Sequence, residues 1–189
     1  HEVTALARSP EKVAQESERL RVVVGDALHE TDVLRTVSGA DAVISLIGPT
    51  KGGAKDVASR STALILSAMD AHDVGRIVVA SVGGIPTPDD RRGPLAKVAG
   101  ALIKRLLGAL YADRERQLAL LRDSDVAWVV LRLPRLTDEA PTGDAPTGDY
   151  QLGYEIKPTY VVARADVARA MLDQLVDDAY VGHAPIIHS

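Results

Sequence analysis

The stretch that decides the fold is Val3-Thr4-Ala5-Leu6-Ala7-Arg8-Ser9-Pro10, an apolar run that ends in a cation and a Ser-Pro pair. A charged pattern with helical spacing follows from Glu11. This order predicts a β-strand that passes through a short turn into a helix. Arg8 then lies at the carboxyl end of the strand, where it would either hold an anion or be an ordinary surface cation.

Further apolar, β-branched runs follow the first, and stretches with helical spacing separate them. This alternation predicts an α/β fold with a doubly wound, parallel Rossmann-type sheet and helices on both faces. No linker is visible, so residues 1–189 are interpreted as one domain. The predicted strands are residues 20–24, 42–47, 76–82, 127–132, 159–162 and 184–187, the last at the sheet edge, and the predicted helices are residues 10–19, 31–37 with Thr31 as N-cap, 56–72, 94–123 and 164–176.

Arg8 has a specific meaning if the first strand belongs to a dinucleotide-binding sheet. In the strand order 3-2-1-4-5-6, an arginine after the second strand accommodates the 2′-phosphate of NADP, whereas an acidic residue there holds the ribose of NAD. If Val3 opens that second strand, one further unit should precede His1. This unit would contain a central strand, a glycine-rich turn and a helix, about 25–30 residues in total. A sheet whose edge is at Val3 is the alternative, and the later strand–helix repeats disfavour it.

Composition and charge exclude several classes of protein. Lys and Arg number 22 against 26 Asp and Glu, and the net charge of −4 argues against the basic face that nucleic acid requires. Cysteine is absent, which excludes disulfides and thiolate metal sites, and the five histidines show no metal-ligand spacing. No segment is long and apolar enough to predict a membrane span, and we expect a cytoplasmic protein.

Two loops are predicted to flank the mouth of a pocket. Residues 85–93 are rich in Pro and Asp, and the pentapeptide APTGD at residues 140–144 is repeated at residues 145–149. Pro and Gly in each copy exclude a helix or a central strand. Asp89-Asp90 precedes Arg91-Arg92, and this order predicts a self-paired, solvated turn rather than a cation site.

Several short motifs occur in an order that resembles a known family. They are residues 2–8, 22–26 (VVVGD), 39–48, 132–134 (RLP), 164–168 (RADVA) and 180–183 (YVGH). This series resembles the atypical short-chain dehydrogenases/reductases with an NAD(P)H-binding domain, a group that includes NmrA-like proteins and the flavin reductase-like biliverdin reductases B. The family's glycine-rich turn is absent, which fits the segment expected before His1.

The resemblance implies a set of cofactor-binding residues. Arg8 would pair with the 2′-phosphate, with Ser9 as a donor and Lys12 as a second cation, so NADPH is predicted over NADH. The alternatives are that Lys12 is a solvated helix residue and that Asp26 only forms its turn. The other implied cofactor-binding positions are Asp26 and Ala27 at the adenine, Ile47 and Gly48 at the ribose, Ala80 beside the nicotinamide, and Arg135 and Leu136 after the strand at residues 127–132.

The resemblance makes Ser81 the candidate catalytic residue, because in typical short-chain dehydrogenases a serine at this strand end polarises the carbonyl and a Tyr-x-x-x-Lys pair supplies the proton. Tyr111 is followed four residues later by Glu115 rather than Lys, so it lacks the cation that would activate it for proton transfer. We therefore expect Tyr111 to pack or to line a pocket. Arg135 would hold the pyrophosphate or an acidic substrate, or be an exposed loop cation.

The resemblance implies an NADPH-dependent oxidoreductase that passes hydride to a small planar acceptor such as a flavin, a quinone or a tetrapyrrole-like molecule, while solvent supplies the proton. The alternative is an NmrA-like, non-catalytic redox sensor that binds the dinucleotide and acts through a protein partner. A monomer or a homodimer is expected in either case. Arg8 and the absent Tyr/Lys pair disfavour an NAD-preferring epimerase or dehydratase.

Overall fold

The computed structural model describes residues 1–13, 16–50, 52–83, 86–90, 108–138, 150–155 and 161–188. In this part of the chain the strands are β1 (Val3–Ala7), β2 (Leu20–Val24), β3 (Val43–Ser45), β4 (Arg76–Val82), β5 (Ala127–Leu133), β6 (Arg135–Thr137), β7 (Gln151–Gly153), β8 (Val161–Ala163) and β9 (Ile186–His188). The helices are α1 (Glu30–Val37), α2 (Val57–Ala71), α3 (Gly108–Arg122) and α4 (Arg164–Asp173), and a 3-10 turn covers Pro10–Lys12.

The described strands form one larger sheet and two strand pairs. β1 and β2 pair in parallel, from Val3 opposite Leu20 to Ala7 opposite Val24. The larger sheet has the order β3-β4-β5-β9-β7, in which β7 runs antiparallel to β9 and the other pairs are parallel. β6 and β8 form the second parallel pair. This mostly parallel arrangement, with helices between the strands, confirms the predicted α/β, Rossmann-type class.

Alternate residues of β4 face two separate hydrophobic cores. Ile77 packs in the core that contains Met69 of α2, whereas Val78 packs in the core that contains Met171 of α4. Ile77 and Val78 are both fully buried. Apolar contacts on both faces explain why this strand is a continuous apolar run rather than an alternating one. Because β3, β4, β5 and β9 are parallel, their carboxyl ends lie along one edge of the sheet.

Three details predicted from the sequence are wrong. The helix predicted at residues 10–19 is a short 3-10 turn in the described residues, because the Val13 amide bonds to the Pro10 carbonyl and the backbone then leaves helical angles. Thr31 lies inside α1, whose N-cap is His29. The last strand is β9, and it is not at the sheet edge, because β7 pairs with it on the side away from β5.

Apart from a break suggested in the long helix, the other predicted segments agree with the structure or lie outside the described residues. α2 and α4 fall within the predicted ranges 56–72 and 164–176. α3 is continuous from Gly108, although the sequence suggests a break at residues 108–111. The preceding part of that predicted helix, residues 94–107, and the tandem pentapeptide at residues 140–149 lie outside the described residues.

Among the described helices, none combines the length and the apolar character that a membrane span requires. In the same residues, the His, Asp and Glu side chains form no group of three or more that could hold a metal ion.

Candidate functional site

The ends of β1 and β2 bring a cation and a carboxylate together. Because the two strands are parallel and in register, the residues that follow Ala7 and Val24 are neighbours. The Gly25 amide donates to the Ala7 carbonyl at 3.1 Å. One guanidinium nitrogen of Arg8 lies 4.0 Å from an Asp26 carboxylate oxygen, with 61% of the Arg8 side chain and 33% of the Asp26 side chain exposed. An exposed guanidinium therefore stands beside the Gly-Asp turn.

The Gly25-Asp26 turn is held by a residue that sequence reasoning missed, Asp32 in the first turn of α1. Its carboxylate accepts a hydrogen bond from the Asp26 amide at 3.0 Å and pairs with Arg35 at 3.1 Å. Arg35 also donates to the Val24 carbonyl at 3.0 Å. A Cβ on Gly25 would lie 2.5 Å from the Asp32 carboxyl carbon, so only glycine leaves this carboxylate in place. The short spacing between Gly25 and Asp32 in the sequence is the signal that could have indicated this contact.

Asp26 itself forms part of its own turn. One carboxylate oxygen accepts a hydrogen bond from the Leu28 amide at 2.9 Å, and the other is the oxygen nearest Arg8. The turn-forming role that the sequence left open is therefore present. Ala27 follows and is partly buried. One oxygen of Asp26 thus orders the turn, while the second faces the neighbouring strand end.

Ser9 and Lys12 extend the cationic end of β1. The Ser9 carbonyl accepts a hydrogen bond from the Lys12 amide at 3.1 Å, which closes the 3-10 turn. The Ser9 side chain makes no cap hydrogen bond in this turn, and Lys12 is exposed. Ser9 and Lys12 thus follow Arg8 closely along the chain, in and next to the same 3-10 turn.

The end of β3 contacts a buried arginine from α3. Both terminal nitrogens of Arg114 lie 3.4 Å from the Ile47 carbonyl. A Cβ on Gly48 would lie 3.2 Å from one of these nitrogens. The sequence interpretation gave Gly48 the task of letting a ligand approach the backbone, but in the structure the space beside it is taken by Arg114. Arg114 is the functional candidate that sequence reasoning missed here, because it lies 67 residues from Ile47.

Ser81 lies near the end of β4 and is mostly buried, with 8% of its surface exposed. It lines a small cavity of about 10 Å³ together with Arg114, Arg132 and other residues of β5, α3 and the loop after β4. Ala80 points to the opposite face, where it belongs to the core beneath α4. Thus, of the two residues predicted beside the nicotinamide, Ser81 shares a cavity with charged groups and Ala80 packs against apolar ones.

The loop after β4 is tied to β5 by a buried ion pair. Asp90 accepts hydrogen bonds from two guanidinium nitrogens of Arg132, at 2.5 and 3.1 Å, and both side chains are almost fully buried. Burial alone would raise the pKa of Asp90, but hydrogen bonds from Arg132 and Thr87 and the Arg132 charge outweigh it and lower the pKa. The prediction of a solvated turn is therefore wrong for Asp90, and its predicted partners Arg91 and Arg92 lie outside the described residues.

The polar face of α3 is bound to α2. Asp113 accepts hydrogen bonds from the Ala58 and Ser59 amides at 3.0 and 3.1 Å, and so caps the first turn of α2 from a neighbouring helix. The Gln117 amide nitrogen donates to the Thr62 hydroxyl at 2.8 Å. Tyr111 is 4% exposed, in agreement with a packing role. α3 therefore holds the start of α2 firmly and presents Arg114 beside it.

Arg135 and Leu136 have different surroundings although they are adjacent in β6. Arg135 is exposed, and its backbone lies opposite Val161 of β8. Leu136 packs against the core beneath α4. The structure therefore brings Arg8 and Asp26 together at the ends of β1 and β2. It places Ala80 and Leu136 in the core beneath α4, whereas Ser81 lines the cavity on the other side of β4.

Solved structures share this fold at low sequence identity. A short-chain dehydrogenase/reductase from Veillonella parvula, solved in complex with NADP, is 18% identical with a TM-score of 0.74, over 100% of this chain and 82% of that one. ChuY, an anaerobillin reductase from Escherichia coli, is 21% identical with a TM-score of 0.73, over 98% of this chain and 84% of that one. An oxidoreductase from Lactococcus lactis is 19% identical with a TM-score of 0.72, over 100% of this chain and 80% of that one.

At these identities the solved structures establish the fold alone. The family assignment comes from a separate comparison, in which a family model described as NAD(P)H-binding matches residues 1–178. That match spans β1 to the end of α4 and includes the strand ends at Arg8, Gly48 and Ser81. The chain therefore belongs to this NAD(P)H-binding family.

Proposed function

We propose that this protein is an NADPH-dependent reductase that transfers hydride to a small planar acceptor, such as a flavin, a quinone or a tetrapyrrole-like molecule. The observation that carries the proposal is the exposed guanidinium of Arg8 beside the Gly25-Asp26 turn, where two parallel strands end together. In a dinucleotide-binding sheet an arginine at such a strand end accommodates the 2′-phosphate of NADP. Membership of the NAD(P)H-binding family supports the cofactor class.

The surroundings of Arg8 suit a phosphate dianion. The nearest carboxylate oxygen lies 4.0 Å from the guanidinium, farther than the roughly 2.7–2.9 Å of a charge-assisted hydrogen bond. A phosphate can therefore reach the guanidinium without breaking a tight ion pair. The Ser9 side chain makes no cap hydrogen bond that would compete, and Lys12 adds a second cation within the same turn. This donor set favours NADPH over NADH.

The remaining predicted residues are assigned by their places at the strand ends. We propose that Asp26 and Ala27 receive the adenine, that Ile47 and Gly48 line the ribose, that Ala80 and Ser81 lie beside the nicotinamide, and that Arg135 and Leu136 follow the pyrophosphate. For Gly48, the contact with Arg114 means that the Ile47 carbonyl is already held from the α3 side. A ligand at Gly48 would then contact a backbone segment whose position is fixed before the ligand binds.

The chemistry that we propose needs little from acidic or basic side chains. When bound, NADPH supplies the hydride, and the protein supplies binding, orientation and electrostatics. Tyr111 is followed four residues later by Glu115, so this helix offers no Tyr–Lys pair, and solvent would supply the proton. ChuY shares the fold and is named an anaerobillin reductase, which supports a reductase function for this chain.

The missing Tyr–Lys pair also favours a second candidate function. A non-catalytic redox sensor would bind the dinucleotide at the same residues and would need no proton donor. Steady NADPH oxidation with FMN or menadione as acceptor distinguishes the two candidates. We expect turnover, and tight NADPH binding without turnover would favour the sensor instead.

The substitution Arg8→Ala tests the proposed cofactor specificity. We expect the Kd for NADPH to rise about tenfold or more, because a charge-assisted contact to the phosphate is worth roughly 1.5–3 kcal/mol, while the Kd for NADH changes little. Isothermal titration with both dinucleotides measures the two values. Arg21→Ala is the matched control, since Arg21 is exposed on β2 within the same strand pair but away from its carboxyl end. An equal loss for NADPH and NADH would refute the role of Arg8.

A further inference from the structure

Arg114 is a buried cation whose hydrogen-bond partners are neutral. The residue is 5% exposed. Its guanidinium donates to the Gln117 side-chain oxygen at 2.8 Å and approaches the Ile47 carbonyl at 3.4 Å. Its Nε atom is buried and has no hydrogen-bond partner. Burial lowers the pKa of Arg114, and the charge of Asp113 offsets this only in part.

The nearest carboxylates are engaged elsewhere. Asp113 caps α2 through the Ala58 and Ser59 amides and the Ser59 hydroxyl. Asp90 forms the bidentate pair with Arg132 on the other side of the cavity. Positive potential from Arg114 is therefore not cancelled by a tight ion pair. In a water-poor interior such a charge interacts strongly with any negative group that enters.

The cavity beside Arg114 also contains the candidate catalytic hydroxyl. Ser81 and Arg114 line it together with Gln117 and Thr87, and its volume is about 10 Å³. A space of that size holds roughly one water molecule, or one oxygen atom of a larger molecule. Ser81 is mostly buried, with 8% of its surface exposed.

We propose that Arg114 and Ser81 form an oxyanion pocket, which receives the carbonyl oxygen of the hydride acceptor. The proposal rests on the proposed reductase function and narrows its substrate class to acceptors with a conjugated carbonyl, such as quinones. The ring of the acceptor stays outside the cavity, and only its oxygen enters. Arg114 thereby supplies the positive charge that the missing Tyr–Lys pair does not.

The charge balance of the step explains why a cation is placed there. The acceptor gains a C–H bond and the electron pair of the hydride, while the hydride-bearing carbon of the dihydronicotinamide loses that bond and the ring becomes the oxidised pyridinium. The displaced π electrons end on the acceptor's carbonyl oxygen as an oxyanion. The Ser81 hydroxyl and the Arg114 guanidinium donate to this oxygen until water protonates it. Removing one donor from an oxyanion site typically costs about 100-fold to 1000-fold in rate.

Binding of para-nitrophenol in the presence of NADP tests the pocket without turnover, because the yellow phenolate has the charge of the proposed oxyanion. We expect the wild-type protein to bind the phenolate more tightly than the neutral phenol, so that the bound probe ionises at a lower pH than the free probe. In Arg114→Gln the phenolate affinity should fall about tenfold or more, and Arg114→Lys should restore part of it. Ser81→Ala should show a smaller loss.

Arg122→Gln is the matched control, since it removes one positive charge from the exposed end of the same helix. Its phenolate affinity should equal that of the wild type. Thermal unfolding of each variant shows whether it is folded. If Arg114→Gln does not fold, the phenolate affinity of Ser81→Ala is the measurement that tests the pocket. Wild-type phenolate affinity in folded Arg114→Gln, or no phenolate preference in the wild type, would overturn the pocket.

Kinetics with menadione separate this proposal from the proposed function. If the pocket is correct, Arg114→Gln should lower kcat about 100-fold while the KM for NADPH changes little. An unchanged kcat would refute the pocket and leave the reductase function standing. Arg114-dependent phenolate binding in a wild-type protein that never oxidises NADPH would instead refute the reductase function, and with it the oxyanion role, and would leave only an anion-binding site at Arg114.

Discussion

Two arginines near the carboxyl ends of parallel strands have opposite surroundings. The Arg8 side chain is 61% exposed and lies 4.0 Å from Asp26. The Arg132 side chain is 1% exposed and lies 2.5 Å from Asp90, with its Nε donating to the Ala184 carbonyl at 2.7 Å. A phosphate in solution can reach the first guanidinium, whereas the second is committed to the protein. The comparison separates an arginine whose side chain is accessible to solvent from one that fixes the loop after β4.

The substitution Asp90→Ala should give the largest effect on stability. It would leave the Arg132 guanidinium buried without its bidentate carboxylate, and breaking a buried pair in this way costs about 3–5 kcal/mol. Urea unfolding measures the loss. Asp89→Ala is the control, since its pair with His183 at 3.3 Å is largely exposed and should contribute about 0–1 kcal/mol. Similar losses in the two variants would mean that Asp90 and Arg132 do not form a structural pair.

Acid should weaken the same pair selectively. The folded-state pKa of Asp90 is lowered from its ordinary value of 3.8, so the stabilisation is complete above that value and is lost as the pH falls below it. The difference in unfolding free energy between the wild type and Asp90→Asn should therefore be constant from about pH 7 to pH 5 and should shrink below about pH 4. Urea unfolding of both proteins at each pH measures this difference. A difference that grows on acidification would contradict the lowered pKa.

The substitution Gly25→Ala should have an intermediate effect, and it tests how the Arg8 region is held. The new Cβ would lie 2.5 Å from the Asp32 carboxyl carbon, so Asp32 must move away from the Asp26 amide. We expect a loss of about 1–2 kcal/mol, similar to the loss of one buried hydrogen bond. Gly75→Ala is the control, because nothing lies within 4 Å of its added Cβ. Urea unfolding that finds the two variants equal would show that Asp32 does not order this turn.

The sequence predicted the strands better than the contacts between them. β4 and β5 are continuous apolar runs, and such runs are typical of parallel strands that are buried on both faces. The Gly25-Asp26 pair after β2 also indicated a turn correctly, whereas β3 ends at Ser45, before the predicted Gly-Pro end. The α/β class could therefore be inferred before any contact was known, because it depends on local patterns and their alternation.

The polar contacts could not be predicted in the same way, because their partners are distant in the chain. Asp90 and Arg132 are 42 residues apart, and the local order Asp89-Asp90-Arg91-Arg92 suggests pairing between neighbours instead. The contact between Gly48 and Arg114 could not be predicted either, because Arg114 is on a distant helix. The position of Arg8 at the carboxyl end of a strand was easier to predict, since it depends only on where β1 ends.

The substitution Arg8→Ala should have the smallest effect on stability. Its ion pair is exposed and long, and such pairs contribute about 0–1 kcal/mol, so we expect a change within about 0.5 kcal/mol by urea unfolding. The same variant should nevertheless lose NADPH affinity, because the guanidinium is available to a phosphate rather than used in folding. A large loss of stability would mean that Arg8 resembles Arg132 and holds the ends of β1 and β2 together. Unchanged stability with weaker NADPH binding would establish that the two arginines serve different purposes.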